Sequence, residues 1–426
     1  MGAQQVTLLG SYRYINKGGM TVDDTKYWLW LNMVFGTGNH RIWEIMSFFQ
    51  TAEEAYDSLT SDENIVSLNE KELKNSAEIP LSNAESFIAN CNRRGIGVIA
   101  CTSSEYPKQL EHIYNPPSVL YYKGNISCLK TELTVTAVGT RKATAYSLKA
   151  AKEICSELSA RGAVIISGFA MGIDLACSMA AAEIGRPTVC VMGCGVDVDY
   201  PKQNFAYRDP ILAAGGVFVS EFPPGTPPIS PNFPKRNRIL AALGRAVIVF
   251  EAGTRSGSLI TANLAAGQGR EVLCLPPADI FSEAFVGNIK LLRDGAIPMY
   301  SASDVIDCIT FRKKQYTAEA MPKRAAETSA AKTLTNEEMT KMMKVLNGIS
   351  DEPRQTKREI SKAQLPDDLS EQQRKIAEAL ENGPLHADEL ASLLEIDTGE
   401  LMTELTELEI FGTVRSLPGK MYELIR

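Results

Sequence analysis

Six short runs rich in β-branched residues recur through the middle of this chain, each separated from the next by a helical stretch. That alternation constrains the fold more than any other feature. The runs are Thr134–Val138, Ala163–Ser167, Thr188–Met192, Gly216–Ser220, Ala246–Phe250 and Glu271–Leu275. Helical apolar spacing fills residues 146–160, 172–185, 203–214, 236–243 and 257–268 between them. Strands joined through helices do not pair as hairpins. They build a mostly parallel sheet with a helical layer on each face, and their runs are mostly apolar because neither face meets water. Right-handed crossovers make a doubly wound, Rossmann-like α/β sheet the expectation for residues 131–310.

The flanks read differently. Residues 1–23 are an extension ahead of a small helical unit at 24–95. There Tyr27–Leu31 and Ile42–Met46 are apolar segments split by Gly36-Thr37-Gly38, the spacing of a SAM-like or helix-hairpin-helix-like corner. Residues 96–130 read as a Pro-rich connection opened by a short strand near Ile96. Residues 311–369 hold many Lys, Glu, Thr, Ser and Ala and no strand pattern, as expected of a flexible linker. The remainder, 370–426, is compact again. Ser370-x-x-Gln373 is a capping box, followed by helical segments at Ala387–Leu394 and Gly399–Ile410 and by a hairpin through Thr413–Arg415, Pro418-Gly419 and Met421–Leu424. Three helices and a wing describe a winged-helix domain. Its third helix carries Glu400, Glu404, Glu407 and Glu409 and no Lys or Arg, which opposes entry into a duplex groove and favours a protein contact.

Composition removes several classes. The 44 Lys and Arg are outnumbered by 51 Asp and Glu, so any positive surface that meets nucleic acid must be local. Three His stand far apart and the nine Cys include no C-x-x-C, so neither a metal site nor a cofactor is expected. Residues 1–14 lack the apolar core of a signal peptide, and no apolar run approaches the roughly 18 residues of a membrane span. A cytoplasmic protein with reduced thiols and no membrane partner is the expectation.

Ligands of an open parallel sheet bind beyond the carboxyl ends of its strands. The loops there read Gly139-Thr140-Arg141-Lys142, then Gly168-Phe169-Ala170-Met171-Gly172-Ile173-Asp174, then Gly193 through Lys202, then Glu251 through Ser258. Phe233-Pro234-Lys235-Arg236-Asn237-Arg238 enters the helix before the fifth run. Arg141, Lys142, Lys202, Lys235, Arg236, Arg238 and Arg255 place seven cations on one rim, together with helix N-termini that favour anions. A mononucleotide needs two or three cations, whereas a sugar–phosphate chain crossing the rim would use them all.

Read in order, Gly139-Thr140-Arg141, Ser167–Asp174, Gly193–Pro201, Ser220–Gly225, Phe233–Arg238, Ser256–Ala262 and Gly287-Asn288 through Gly295-Ala296 resemble the motif series of the DNA-processing protein A (DprA/Smf) family. The resemblance runs from about residue 25 to 310, and the helical front and winged tail agree with the family layout. It implies a non-enzymatic, sequence-independent single-stranded DNA binder that protects incoming DNA during natural transformation and loads the RecA recombinase. It also implies a homodimer through the Rossmann domain. By resemblance, Arg141 and Lys202 would contact phosphate, with Lys142 and Lys235 adding charge. Arg236 and Arg238 would line the groove beside Asn237, and Phe233 would offer a face to a base. Gly139, Thr140, Gly168, Ala170 and Gly172 would shape its wall, and Ser256, Gly257 and Ser258 would donate to phosphate.

Three alternatives stand beside this reading. Arg236 and Arg238 could be structural ion-pair partners of Glu221 or Glu251, Phe233 a loop-packing aromatic, and Ser256 a helix cap. A Rossmann-fold nucleotide-binding or N-glycoside-cleaving enzyme is the competing function. The carboxylate such chemistry needs after the Gly-rich turn is missing, since Leu259, Ile260 and Thr261 follow Ser258.

Overall fold

A computed structural model describes residues 24–61, 66–319, 369–394, 396–410, 413–417 and 421–425. The extension at 1–23, most of the linker segment and the Pro418-Gly419 turn lie outside the described residues.

Nine strands form one sheet: β1 (Gly97–Ala100), β2 (Val119–Gly124), β3 (Thr134–Val138), β4 (Val164–Ser167), β5 (Thr188–Val191), β6 (Val217–Ser220), β7 (Ala246–Val249), β8 (Glu271–Cys274) and β9 (Ile297–Pro298). Their spatial order is β1-β2-β6-β5-β4-β3-β7-β8-β9. From β6 to β9 all pairs are parallel, and every residue of β3 to β7 is buried. Side chains alternate between the faces as a pleat requires. Val164 and Ile166 enter one core, which they share with Ile239, Leu240 and the front helices, while Ile165 enters the opposite core with Ala151, Leu158 and Ile173. The expected mostly parallel Rossmann-like sheet is present.

Two features depart from expectation. Residues 97–124 are not only a connection: β1 and β2 add antiparallel strands to one edge, with Tyr121 opposite Ser220. They also carry the helical front onto the sheet, because Trp28, Trp30 and Trp43 are fully buried in a cluster continuous with Val189, Val191, Val217 and Val219. The front itself contains the expected corner, helices Thr25–Phe35 and Arg41–Met46 joined through Gly36 and Gly38 at positive φ. The second departure is that helix Ala302–Glu319 continues past residue 311, where the linker was expected to begin.

The tail folds as the expected winged helix. Ser370 and Gln373 cap helix Glu371–Ala379, helices Ala387–Leu394 and Thr398–Ile410 follow, and Val414–Leu417 pairs with Met421–Leu424. It does not stand apart: helix Thr398–Ile410 packs on helix Gly257–Gly267 of the sheet domain. All nine Cys lie among the described residues as free thiols. No helix among the described residues is long and apolar enough to cross a membrane.

Candidate nucleic-acid interface

Strand order reverses at β3: β4, β5 and β6 lie to one side, β7 to the other. The loops after β3 and β7 therefore part at this point and leave a crevice between them. Val138 through Lys142 form one wall and Gly253 and Arg255 through Ser258 the other, with Ala170, Asp174, Phe233, Arg236, Asn237, Leu240 and Thr261 completing the lining.

Glycine is a geometric necessity in these walls. Thr140 donates its N–H to the Glu251 carbonyl at 2.8 Å, and Ile173 N–H donates to the Thr140 carbonyl at 3.2 Å. Gly172 sits beneath that loop at φ +78°, where a Cβ would lie 2.5 Å from the Thr140 carbonyl oxygen. Replacing Gly172 by Ala should cost about 2 kcal/mol or more through strain and backbone overlap, and should displace Arg141. Thermal unfolding and oligonucleotide binding read the two effects separately. Glu251, a possible ion-pair partner in the sequence reading, instead braces the same loop. One of its oxygens accepts from the Thr144 hydroxyl at 2.6 Å and from the Thr144 N–H at 2.9 Å.

The seven rim cations separate into two kinds. Arg141, Lys142 and Arg255 are exposed and line the crevice. Lys202 and Lys235 are exposed but lie outside the lining. Arg236 lines the crevice from below and is 6% exposed, donating to the carbonyls of Gly168, at 3.0 Å, and Val191. Across Gly168 stands Asp174; a Cβ at 168 would lie 2.5 Å from an Arg236 nitrogen and 2.7 Å from an Asp174 oxygen. Burial lowers the Arg236 pKa and raises that of Asp174, and the charge of each opposes the other's shift. This pair forms a charged floor.

Arg238 lies elsewhere. Its Nη2 meets Glu221 Oε1 at 2.5 Å with both side chains buried, so the ion pair entertained from the sequence is what the structure contains. Gly168, Gly172 and Arg238 support the crevice or its surroundings without lining it.

Phe233 does line it, half-buried, with its ring centroid 5.9 Å from the Arg141 guanidinium carbon, 6.0 Å from that of Arg236 and 5.4 Å from the Tyr200 ring. Gly193 allows this packing, since a Cβ there would lie 2.8 Å from the Phe233 ring. Ser256 caps helix Gly257–Gly267 by accepting from Ser258 N–H, and the two hydroxyls lie 2.7 Å apart. The space around Gly257 is open. Arg255, Asp174 and Thr261 are lining residues that the expected site set omitted. Arg255 was legible as a rim cation, and Asp174 and Thr261 fell within motifs read from the sequence without being singled out as lining.

The sequence matches the family model described as DNA recombination-mediator protein A over residues 97–310, half of the chain. The chain belongs to the DNA processing protein A (DprA) family. A second match, to the DprA winged helix domain, covers residues 361–420. The DNA processing protein DprA of Bacillus subtilis (strain 168) is 37% identical over 245 residues, covering 58% of this chain and 82% of that protein. Protein Smf of Synechocystis is 29% identical over 417 residues, covering 95% of this chain and 100% of the relative. Among solved structures, DprA from Streptococcus pneumoniae superposes with a TM-score of 0.57 at 31% identity, covering 66% of this chain and 96% of that one. DprA membership places the switch-point crevice inside the matched region.

Proposed function

We propose that this DprA-family protein binds single-stranded DNA without sequence preference, laying the sugar–phosphate backbone across the switch-point crevice. The observation that carries this reading is the grouping of Arg141, Lys142 and Arg255 as exposed cations on two facing walls beside an open helix N-terminus. Such a surface offers charge and N–H groups to phosphates but little that reads a base edge. Phe233 is the one aromatic lining the crevice, and a base stacked on its free part would gain about 1–3 kcal/mol whatever its identity.

The reading is of a binder rather than a catalyst. Of the two carboxylates nearest the crevice, Asp174 is buried and Glu251 is engaged by Thr144. Asp174 accepts from the Ala170 N–H at 3.4 Å beside Arg236, so each carboxylate is engaged within the protein rather than paired with the other as acid and base.

An oligothymidylate length series tests the proposal. Affinity should rise at least about tenfold from the mononucleotide to a strand long enough to reach Lys202 or Lys235. A mononucleotide that binds as tightly as the long strand, or that loses its base on incubation, would instead indicate a nucleotide-binding or N-glycoside-cleaving protein.

Two further roles are part of the proposal. The recombination-mediator description supports loading of RecA onto the bound strand during transformation, to be tested as shortening of the lag in RecA filament assembly. A homodimer through the Rossmann domain is supported by the apolar character of the segment after β8. There Ile280 and Phe281 are 63% and 89% exposed, and Tyr300, just after the edge strand β9, is 73% exposed. Sedimentation of the Phe281→Asp variant reads that contact.

A further inference from the structure

Carboxylates that pack against a cationic body occupy ground that a polyanion could also claim. Glu400 on helix Thr398–Ile410 is only 7% exposed, and one oxygen of Glu404 is buried without a hydrogen-bond partner. Burial pushes the Glu404 carboxyl up to about 7; the charge of Glu407 adds to the rise, and that of Lys235 opposes it. Burial also raises Glu407, again against Lys235. The acidic helix lies along helix Gly257–Gly267, whose opposite end opens on the crevice. Leu264, Gly267 and Gln268 of the body face Gly399, Glu400 and Thr403 of the tail across a shared cavity. A further tie joins Lys290 Nζ to Ser416 Oγ of the wing at 3.3 Å. Lys235 links the two surfaces: it is a rim cation that a strand would use, and it stands one helical turn before Arg238, which lines the same cavity as Glu400 of the tail.

We propose that the winged-helix domain competes with single-stranded DNA for the flank of the crevice, its acidic third helix standing at Lys235 where the backbone of a bound strand would pass. This inference rests on the single-strand reading above. The strand gains the flank only from molecules whose tail has undocked, so apparent affinity is reduced by the undocked fraction.

Two substitutions in the full chain test this from opposite sides, Gly267→Glu on the body and Thr403→Glu on the tail. Nothing lies within 4 Å of a Cβ built at Gly267, so the body accommodates the change, while Glu400 faces it across the cavity. Each variant adds negative charge, which alone would weaken DNA binding. The proposal predicts the opposite: a twenty-nucleotide oligothymidylate binds each variant roughly fivefold tighter than the unaltered protein. Small-angle scattering should show both variants expanded without DNA, and the unaltered protein expanding when the oligonucleotide is added. Equal or weaker binding by an expanded variant would overturn the proposal, as would an unaltered protein that stays compact with the strand bound. An oligonucleotide that binds none of the three proteins would overturn the crevice reading and this proposal together. Binding that ignores the variants' expansion overturns this proposal alone.

Discussion

Replacing Arg238 by Ala is expected to destabilise the fold by about 3–5 kcal/mol while leaving the salt dependence of DNA binding unchanged. Arg238 and Glu221 meet at 2.5 Å with side chains 9% and 3% exposed, so loss of the guanidinium leaves a carboxylate buried and unpaired. The effect reaches beyond the helix that carries Arg238. Glu221 follows β6 and lies under the Gly38 turn of the helical front, where a Cβ would approach its Oε2 to 3.0 Å. Denaturant unfolding measures the loss, and the double variant Arg238→Met/Glu221→Leu should recover most of it, since no charge is then stranded. A small loss of stability accompanied by a shallower salt slope would place Arg238 on the path of the strand instead.

The Arg141→Ala/Arg255→Ala variant is expected to do the reverse. Neither side chain takes part in an ion pair among the described residues, and both are exposed on facing walls of the crevice. Each charge-assisted contact with a phosphate is worth about 1.5–3 kcal/mol, so losing two should weaken single-strand binding by a factor of about 150 or more at low salt. The melting temperature should stay within a degree or two of the unaltered protein, because surface substitutions of this kind rarely change stability by more than about 0.5 kcal/mol. Retained affinity at low salt would mean that the strand lies elsewhere.

These opposite expectations rest on a distinction that local sequence does not carry. Strands β3 to β8 fall within a residue of the runs read from the sequence, because strands of a sheet covered on both faces are rich in apolar and β-branched residues over most of their length. The capping box at Ser370 and the glycine corner at Gly36 were legible for the same reason, each motif being set by its own backbone needs. A short strand was legible near Ile96, next to β1, but β2 and the pairing of both strands at the sheet edge were not. They are short, the chain between them is Pro-rich, and β2 pairs with a strand nearly a hundred residues away, as Tyr121 with Ser220. Arg236 and Arg238 stand two residues apart in one basic run, and nothing in that run tells which neighbours each will meet. Only the packed helix sends one over Gly168 toward Asp174 and the other to Glu221. The acidic third helix argues against duplex entry as a matter of charge alone, and the surface it covers, beside helix Gly257–Gly267, is a tertiary fact.

The measurement closest to the central claim is the salt dependence of single-strand binding, followed by fluorescence anisotropy between 50 and 200 mM salt with a duplex competitor present. If Arg141, Lys142 and Arg255 each neutralise one phosphate, the logarithmic slope should be near about −2, a loss of roughly 20-fold across that range. The duplex should compete poorly. A slope near zero, or a duplex that displaces the strand at equal concentration, would contradict a DNA backbone lying across the mouth of the sheet.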